Sequence, residues 1–277
     1  MTLVVLLLVG AGVSYWAFRG TPDFYHRPQL TDQERPDAFS QATQKIIRTR
    51  EWAQDLWTSE QRATVRGQPT TAPTQPSRSY TVSFSEREVN AYLEQISIRD
   101  RWDEKYAKYV KDPTVVLRDG RIILAGTVPD IGAVASFHFA PSIDEQGQFR
   151  LTLARVLAGR LPMPDVVWSS QRERVERAIR SRLPEWQQKA QIAPNGVANA
   201  DAIAADAGKL VLEMLHDRPR EPVLFLPFEE KAAVPVRLTE VKVADGELAF
   251  TVVPVTPAER AALLERVREP EAQASAP

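Results

Sequence analysis

The chain has 277 residues, of which 43% are hydrophobic and 26% charged, a composition typical of a globular protein of one or two domains. Its formal net charge of -1 gives no bulk attraction for nucleic acid or for an anionic membrane surface. The absence of cysteine excludes disulfides, thiolate metal sites and cysteine nucleophiles.

The N-terminal segment carries the clearest signal. The run from Thr2 to Phe18 has no charged residue, and Arg19 ends it. As a helix it would reach roughly 25 Å, close to the ~30 Å hydrocarbon core of a bilayer, with Tyr15 and Trp16 at the interface. A cleavable signal peptide is the alternative, but aromatic residues stand where a peptidase requires small ones. We therefore predict a transmembrane anchor over residues 1–19.

Residues 20–66 are predicted to form a juxtamembrane segment and an amphipathic helix of about 20 residues. We expect this helix to pack on the domain core, because acidic side chains interrupt any basic face that would favour a membrane surface. Its apolar positions recur at helical spacing, namely Phe39, Ala42, Ile46, Ala53 and Trp57.

Residues 67–79 are rich in proline and small polar residues, which favour neither helix nor sheet, so they are predicted to be a linker. An α+β domain is expected over residues 80–268, followed by a disordered tail at 269–277. Its first strand alternates Tyr80, Val82 and Phe84.

A capping box follows this strand. Ser85 and Glu88 have the spacing at which each side chain accepts a hydrogen bond from the backbone N–H of the other. The pattern predicts a short helix that buries Val89, Leu93 and Ile96.

The period then changes to two. Asp119-Gly120 lies between two apolar runs, the strongest short-range signal for a β-hairpin. Further strands are predicted at residues 133–140 and at Phe149, Leu151 and Leu153, which together form an antiparallel meander.

Two helices are expected next, over residues 165–190 and 200–216, and Pro184 is expected to kink or split the first of them. Strands at 223–226 and 234–243, a turn at Asp245-Gly246, a strand at 248–252 and a terminal helix at 257–267 complete the pattern. Antiparallel strands with segregated helices predict the α+β class, with a curved antiparallel sheet packed on long helices after the anchor.

Catalytic motifs are not found in the sequence. Its three histidines lack the spacing of a helical zinc site, and no nucleophile elbow, phosphate-binding loop or zinc-protease motif occurs. We therefore predict no catalytic, cofactor-binding or metal site. His138, between Phe137 and Phe139 in a strand, is expected to be a hydrogen-bonded sheet histidine. The arginines of residues 172–182 alternate with Glu173 and Glu176, which favours a solvated helix surface over a nucleic-acid site.

A family resemblance adds to these expectations. The anchor, the phrase from Tyr80 to Leu93 (YTVSFSEREVNAYL) and the passage from Val156 to Val167 (VLAGRLPMPDVV) resemble the YpmS-like membrane-anchored bacterial envelope proteins. More remotely the chain is similar to the tubular lipid-binding superfamily, in which a curled antiparallel sheet wraps a long helix. The resemblance implies an extracytoplasmic domain, although Arg19 and Arg27 alone weakly favour a cytoplasmic one.

The same resemblance implies an apolar ligand groove between helix and sheet, lined by Val89, Leu93, Leu161, Val167, Trp168 and Ile179. The leading hypothesis is a single-pass, non-enzymatic envelope protein that binds a lipid or acyl chain close to the bilayer. One alternative is a membrane-tethered module or scaffold that binds another envelope protein. A hydrolase with a non-standard site is the third, and a carboxylate or histidine with a shifted pKa in a deep pocket would favour it.

Overall fold

A computed structural model describes residues 20–25, 30–65, 79–99, 101, 104, 107–130, 132–191, 198–229, 232–255, 259 and 263. The predicted anchor, nearly all of the linker, most of the terminal helix and the tail lie outside these residues. Within the described part of the chain, no helix is both long and apolar enough to cross a membrane.

The described chain contains four helices and ten strands. The helices are α1 (Glu34–Val65), α2 (Glu86–Arg99), α3 (Asp165–Lys189) and α4 (Ala200–Leu215). The strands are β1 (Tyr80–Ser85), β2 (Lys111–Arg118), β3 (Arg121–Val128), β4 (Ala133–Ile143), β5 (Phe149–Ala158), β6 (Leu161–Pro162), β7 (Ala198–Asn199), β8 (Val223–Glu229), β9 (Ala232–Ala244) and β10 (Glu247–Pro254).

The strands form two antiparallel five-stranded sheets. Sheet 1 has the order β1-β10-β9-β7, with β8 also paired to β9, and sheet 2 is the meander β2-β3-β4-β5-β6. The α+β class with antiparallel strands is confirmed. The strands divide into two sheets, where one was expected, because the first strand of the domain pairs with the last and leaves the meander to form a sheet of its own.

The two sheets share a core. Phe149, Ile143 and Leu151 of sheet 2 belong to one apolar cluster with Val236, Leu238 and Val252 of sheet 1. Helix α1 adds Ala53 and Trp52 to this cluster, and the Trp52 ring stacks on Tyr80 with 5.3 Å between centroids. The prediction that the amphipathic helix packs on the domain core is therefore confirmed.

Helix α2 begins with the predicted capping box. The Ser85 N–H donates to Oε2 of Glu88 at 2.7 Å, and the Glu88 N–H donates to Oγ of Ser85 at 3.3 Å. These bonds occupy two of the donors that a helix N-terminus leaves free, so the sequence pattern fixes where the helix starts.

Side chains of α2 also occupy the outer edge of β2. The Asn90 amide accepts from the Val115 N–H at 2.8 Å and donates to the Val115 carbonyl at 2.7 Å, as a neighbouring strand would. Oε2 of Glu86 accepts from the Leu117 N–H at 2.8 Å. An open edge presents unpaired backbone groups, and here a helix satisfies them.

The two predicted Asp-Gly turns meet at this edge. Asp119 and Gly120 have φ angles of 52° and 69°, as a type I′ hairpin requires. In the second turn the Gly246 N–H donates to the Leu117 carbonyl at 2.8 Å, and Asp245 accepts from the Asp119 N–H at 3.1 Å. Contacts between turns therefore join the two sheets.

Helices α3 and α4 pack against each other through an apolar cluster that includes Leu183, Ala202, Ala205 and Leu212. The expected break at Pro184 does not split α3, which is continuous to Lys189. Proline removes a single backbone hydrogen bond there, and Leu183 and Trp186 on either side pack against α4.

Candidate apolar binding face

A row of apolar side chains crosses the middle of sheet 2. Phe137 of β4 pairs with Leu124 of β3 on one side and with Val156 of β5 on the other. Directly paired residues in antiparallel strands project on the same face, so these three side chains form one apolar row.

The start of α3 lies over this row. The Met163 N–H donates to the Val156 carbonyl at 2.9 Å, and the Pro164 carbonyl accepts from the N–H groups of Val167 and Trp168. These bonds fix the first helical turn beside β5. The Trp168 indole consequently meets the Phe137 ring edge-on, with 5.9 Å between centroids.

The resulting surface is open on one side. Leu124 is 42% exposed and Val167 is 47% exposed, whereas Phe137, Val156 and Trp168 are half-buried. We call Leu124, Phe137, Val156 and Trp168, together with Val167 next to Trp168 on α3, the sheet–helix face. None of the five side chains carries a charge, so the face offers an apolar contact surface.

The predicted groove residues lie in separate surroundings. Val167 and Trp168 belong to the sheet–helix face, and Leu161 pairs with Ala158 in the neighbouring β6. Ile179 packs into the cluster between α3 and α4. Val89 and Leu93 lie half-buried on α2, the helix that holds the edge of β2.

Leu124, Phe137 and Val156 complete the face and were not predicted. The alternation of the meander indicates that each is in a strand. The register of the strands decides which residues become cross-strand neighbours. A bulge between His138 and Phe139 shifts the register with which β4 pairs to β5. In the sequence, only the apolar runs on either side of Asp119-Gly120 indicate that Leu124 lies in a strand.

Polar residues separate this face from the α3–α4 cluster. Glu176 lies 3.7 Å from Arg172 on the same helix and 3.2 Å from Nε2 of His216. Arg172 and Glu176 occupy the inner side of α3 between Trp168 and Ile179, so the apolar stripe of this helix is interrupted. The apolar surface of the sheet–helix face therefore ends at Arg172 and Glu176.

A polar pocket of about 220 Å³ lies beside the capping box, lined by Glu34, Asp37, Ala38, Gln41, Ser85, Arg87 and Glu88. Glu88 is 3% exposed and Nζ of Lys45 donates to it at 2.8 Å. Burial opposes its ionisation, but the bonds from Lys45 and Ser85 outweigh burial and lower the pKa of Glu88. A carboxylate with a lowered pKa is a weak proton acceptor at neutral pH, so this arrangement fits a structural role.

His138 lies on the opposite face of sheet 2 from Phe137. Its Nε2 is 3.2 Å from Oγ of Ser136, and both side chains are buried. Burial lowers the pKa of His138, and Arg155 and Arg121 lower it further, so the imidazole is neutral at pH 7. The prediction of a hydrogen-bonded sheet histidine is confirmed. In the part of the chain with described coordinates, no group of His, Asp and Glu residues is arranged to hold a metal ion.

Comparison of the chain with protein-family models, with curated proteins and with solved structures gives no match in any of the three. The resemblance to YpmS-like and tubular lipid-binding proteins stays a prediction from the sequence.

Proposed function

We propose that this chain is a single-pass, membrane-anchored envelope protein without enzymatic activity, whose α+β domain lies outside the cytoplasm and binds a lipid acyl chain or a similar apolar ligand. The observation that carries the proposal is the sheet–helix face, where Leu124 and Val156 flank the Phe137–Trp168 ring pair and Leu124 and Val167 are exposed. The uncharged segment from Thr2 to Phe18 supports the membrane anchor.

The energetics of the face fit a flexible apolar ligand. Full burial of a leucine or valine side chain contributes roughly 1.5–3 kcal/mol, and Leu124 and Val167 each have about half of that still to gain. An acyl chain matches such a surface because it needs no hydrogen-bond partner and adapts to an uneven row of side chains.

A second candidate is a tethered interaction module that binds another envelope protein. The openness of the sheet–helix face favours this alternative, because exposed apolar surface also marks protein interfaces. The two functions differ in whether a free fatty acid binds the face.

Fluorescence titration with the fatty acid cis-parinaric acid tests the proposal on the full chain in detergent micelles. Leu124→Ser removes apolar surface from an exposed position and is expected to weaken binding by about fivefold, a loss of roughly 1 kcal/mol. Val175→Ser is the matched control, because Val175 is 40% exposed on α3 and lies two helical turns beyond Trp168, outside the five residues of the face. Equal affinities in the wild-type protein and Leu124→Ser would contradict the proposed ligand site.

A further inference from the structure

A short segment near the N-terminus is fastened to sheet 2. Nε of Arg160 donates to the Thr21 carbonyl at 3.1 Å, and its guanidinium pairs with Asp23 at 2.7 Å. The Tyr25 hydroxyl donates to the Asp112 carbonyl at 2.9 Å, and the Phe24 ring meets His138 edge-on at 5.3 Å. Residues 21–25 therefore have fixed attachments to the turn after β5, to β2 and to β4.

This attachment limits the distance between the domain and the uncharged N-terminal segment. The run ends at Phe18, three residues before Thr21, which an extended chain spans in at most ~10 Å. Val166 follows Arg160 by six residues, a distance of at most ~20 Å. The start of α3 therefore lies within roughly 40 Å of the end of the uncharged segment, and Arg160 joins the two parts of the chain directly.

Two apolar residues at this end of α3 are accessible. Val166 is 81% exposed, and the adjacent Val167 is 47% exposed. Between Leu161 and Gln171 the only charged residue is Asp165. We call residues 163–167 the α3 tip.

We propose that the α3 tip inserts into the interfacial region of the bilayer that holds the N-terminal anchor. This inference rests on the proposed membrane anchor and adds the orientation of the domain, with the start of α3 turned toward the lipid surface. Tethering by the anchor supplies a high effective concentration of bilayer, so two valines suffice where a free domain would need a larger apolar surface. The short connection from Phe18 to Thr21 selects the bilayer as the occupant over a second copy of the chain.

Single-cysteine labelling tests the proposal directly, because the chain has no native cysteine. Full-length Val166→Cys carrying the environment-sensitive dye NBD is reconstituted in phosphatidylcholine vesicles that contain doxyl-labelled lipid. Val175→Cys is the matched control, a valine of the same helix half a turn around and about 14 Å further along. We expect doxyl quenching at residue 166 roughly twofold or more above that at residue 175.

Other outcomes separate the inference from the function on which it rests. Equal or absent quenching at residue 166, in protein that resists alkaline carbonate extraction from the vesicles, overturns insertion of the α3 tip and leaves the anchor standing. A blue-shifted but unquenched dye at residue 166 shows that protein covers the tip, which also overturns the proposal. Release of the full chain by carbonate overturns the anchor itself.

Discussion

Helices α2 and α3 each begin within three residues of a strand end, but they are attached to the sheets by different means. Polar side chains of α2 form hydrogen bonds with backbone groups of β2, as the Asn90 amide does with the N–H and the carbonyl of Val115. Helix α3 has Pro164 at its N-cap position and no side-chain cap. Apolar contacts of Trp168 and of the second half of the helix hold it in place. Contacts of α2 and of the second half of α3 therefore stabilise the fold, whereas Val166 and Val167 in the first half of α3 remain exposed.

The largest expected effect tests the division within α3. Leu183 is 3% exposed in the α3–α4 cluster, so Leu183→Ala is expected to lower the free energy of unfolding by about 3–4 kcal/mol through lost contacts and the cavity left behind. Val175→Ala, at a position of the same helix that is 40% exposed, should change it by less than about 0.5 kcal/mol. Urea unfolding followed by circular dichroism measures both, and similar losses would remove the distinction between the two halves.

The edge contact of α2 gives the next largest effect. Asn90→Ala leaves the Val115 N–H and carbonyl without their partner beside a helix, and we expect a loss of about 2–3 kcal/mol. Gln95→Ala removes an amide from the same helix without opening the strand edge. Urea midpoints of the two variants provide the comparison, and a loss in Gln95→Ala as large as in Asn90→Ala would argue against the edge role.

The smallest effect depends on pH. The pKa of Glu88 lies below the ordinary value of 4.5, so its carboxylate stabilises the fold above that pH and the contribution disappears as the pH falls through the folded-state pKa. Glu88→Gln keeps a capping side chain but loses the charge, with an expected loss of about 1 kcal/mol at pH 7.

The measurement for this variant is its stability difference from the wild type between pH 7 and pH 3. This difference should shrink on acidification, whereas Glu145→Gln, in an exposed loop, should differ little from the wild type throughout. A difference for Glu88→Gln that is constant over the whole range would show that its ionisation does not stabilise the fold.

Local structure could be predicted from the sequence wherever one residue pattern determines it. Ser85 and Glu88 specify a helix start through their own side chains, and Asp119-Gly120 specifies a hairpin through its backbone preferences. The α+β class follows from the succession of such elements.

The composition of the apolar face could not be predicted in the same way. Two of its five members, Val167 and Trp168, lie on a helix whose spacing is visible in the sequence. Leu124 and Val156 become neighbours of Phe137 only through strand register, which depends on turn geometry and on a bulge. Val89 and Leu93 lie at the edge of β2 because the Asn90 contact docks α2 there, and long-range contacts of this kind leave no periodic signal.

The pairing of β1 with β10 has a consequence for biogenesis. Thr81 and Thr251 lie side by side, with hydroxyl oxygens 2.9 Å apart and 170 positions between them in the chain. Sheet 1 cannot close until β10 has been synthesised, so the nascent chain carries an unfinished sheet during most of its synthesis. Because such distant contacts slow folding, we expect the meander to acquire protection from hydrogen exchange before sheet 1 does.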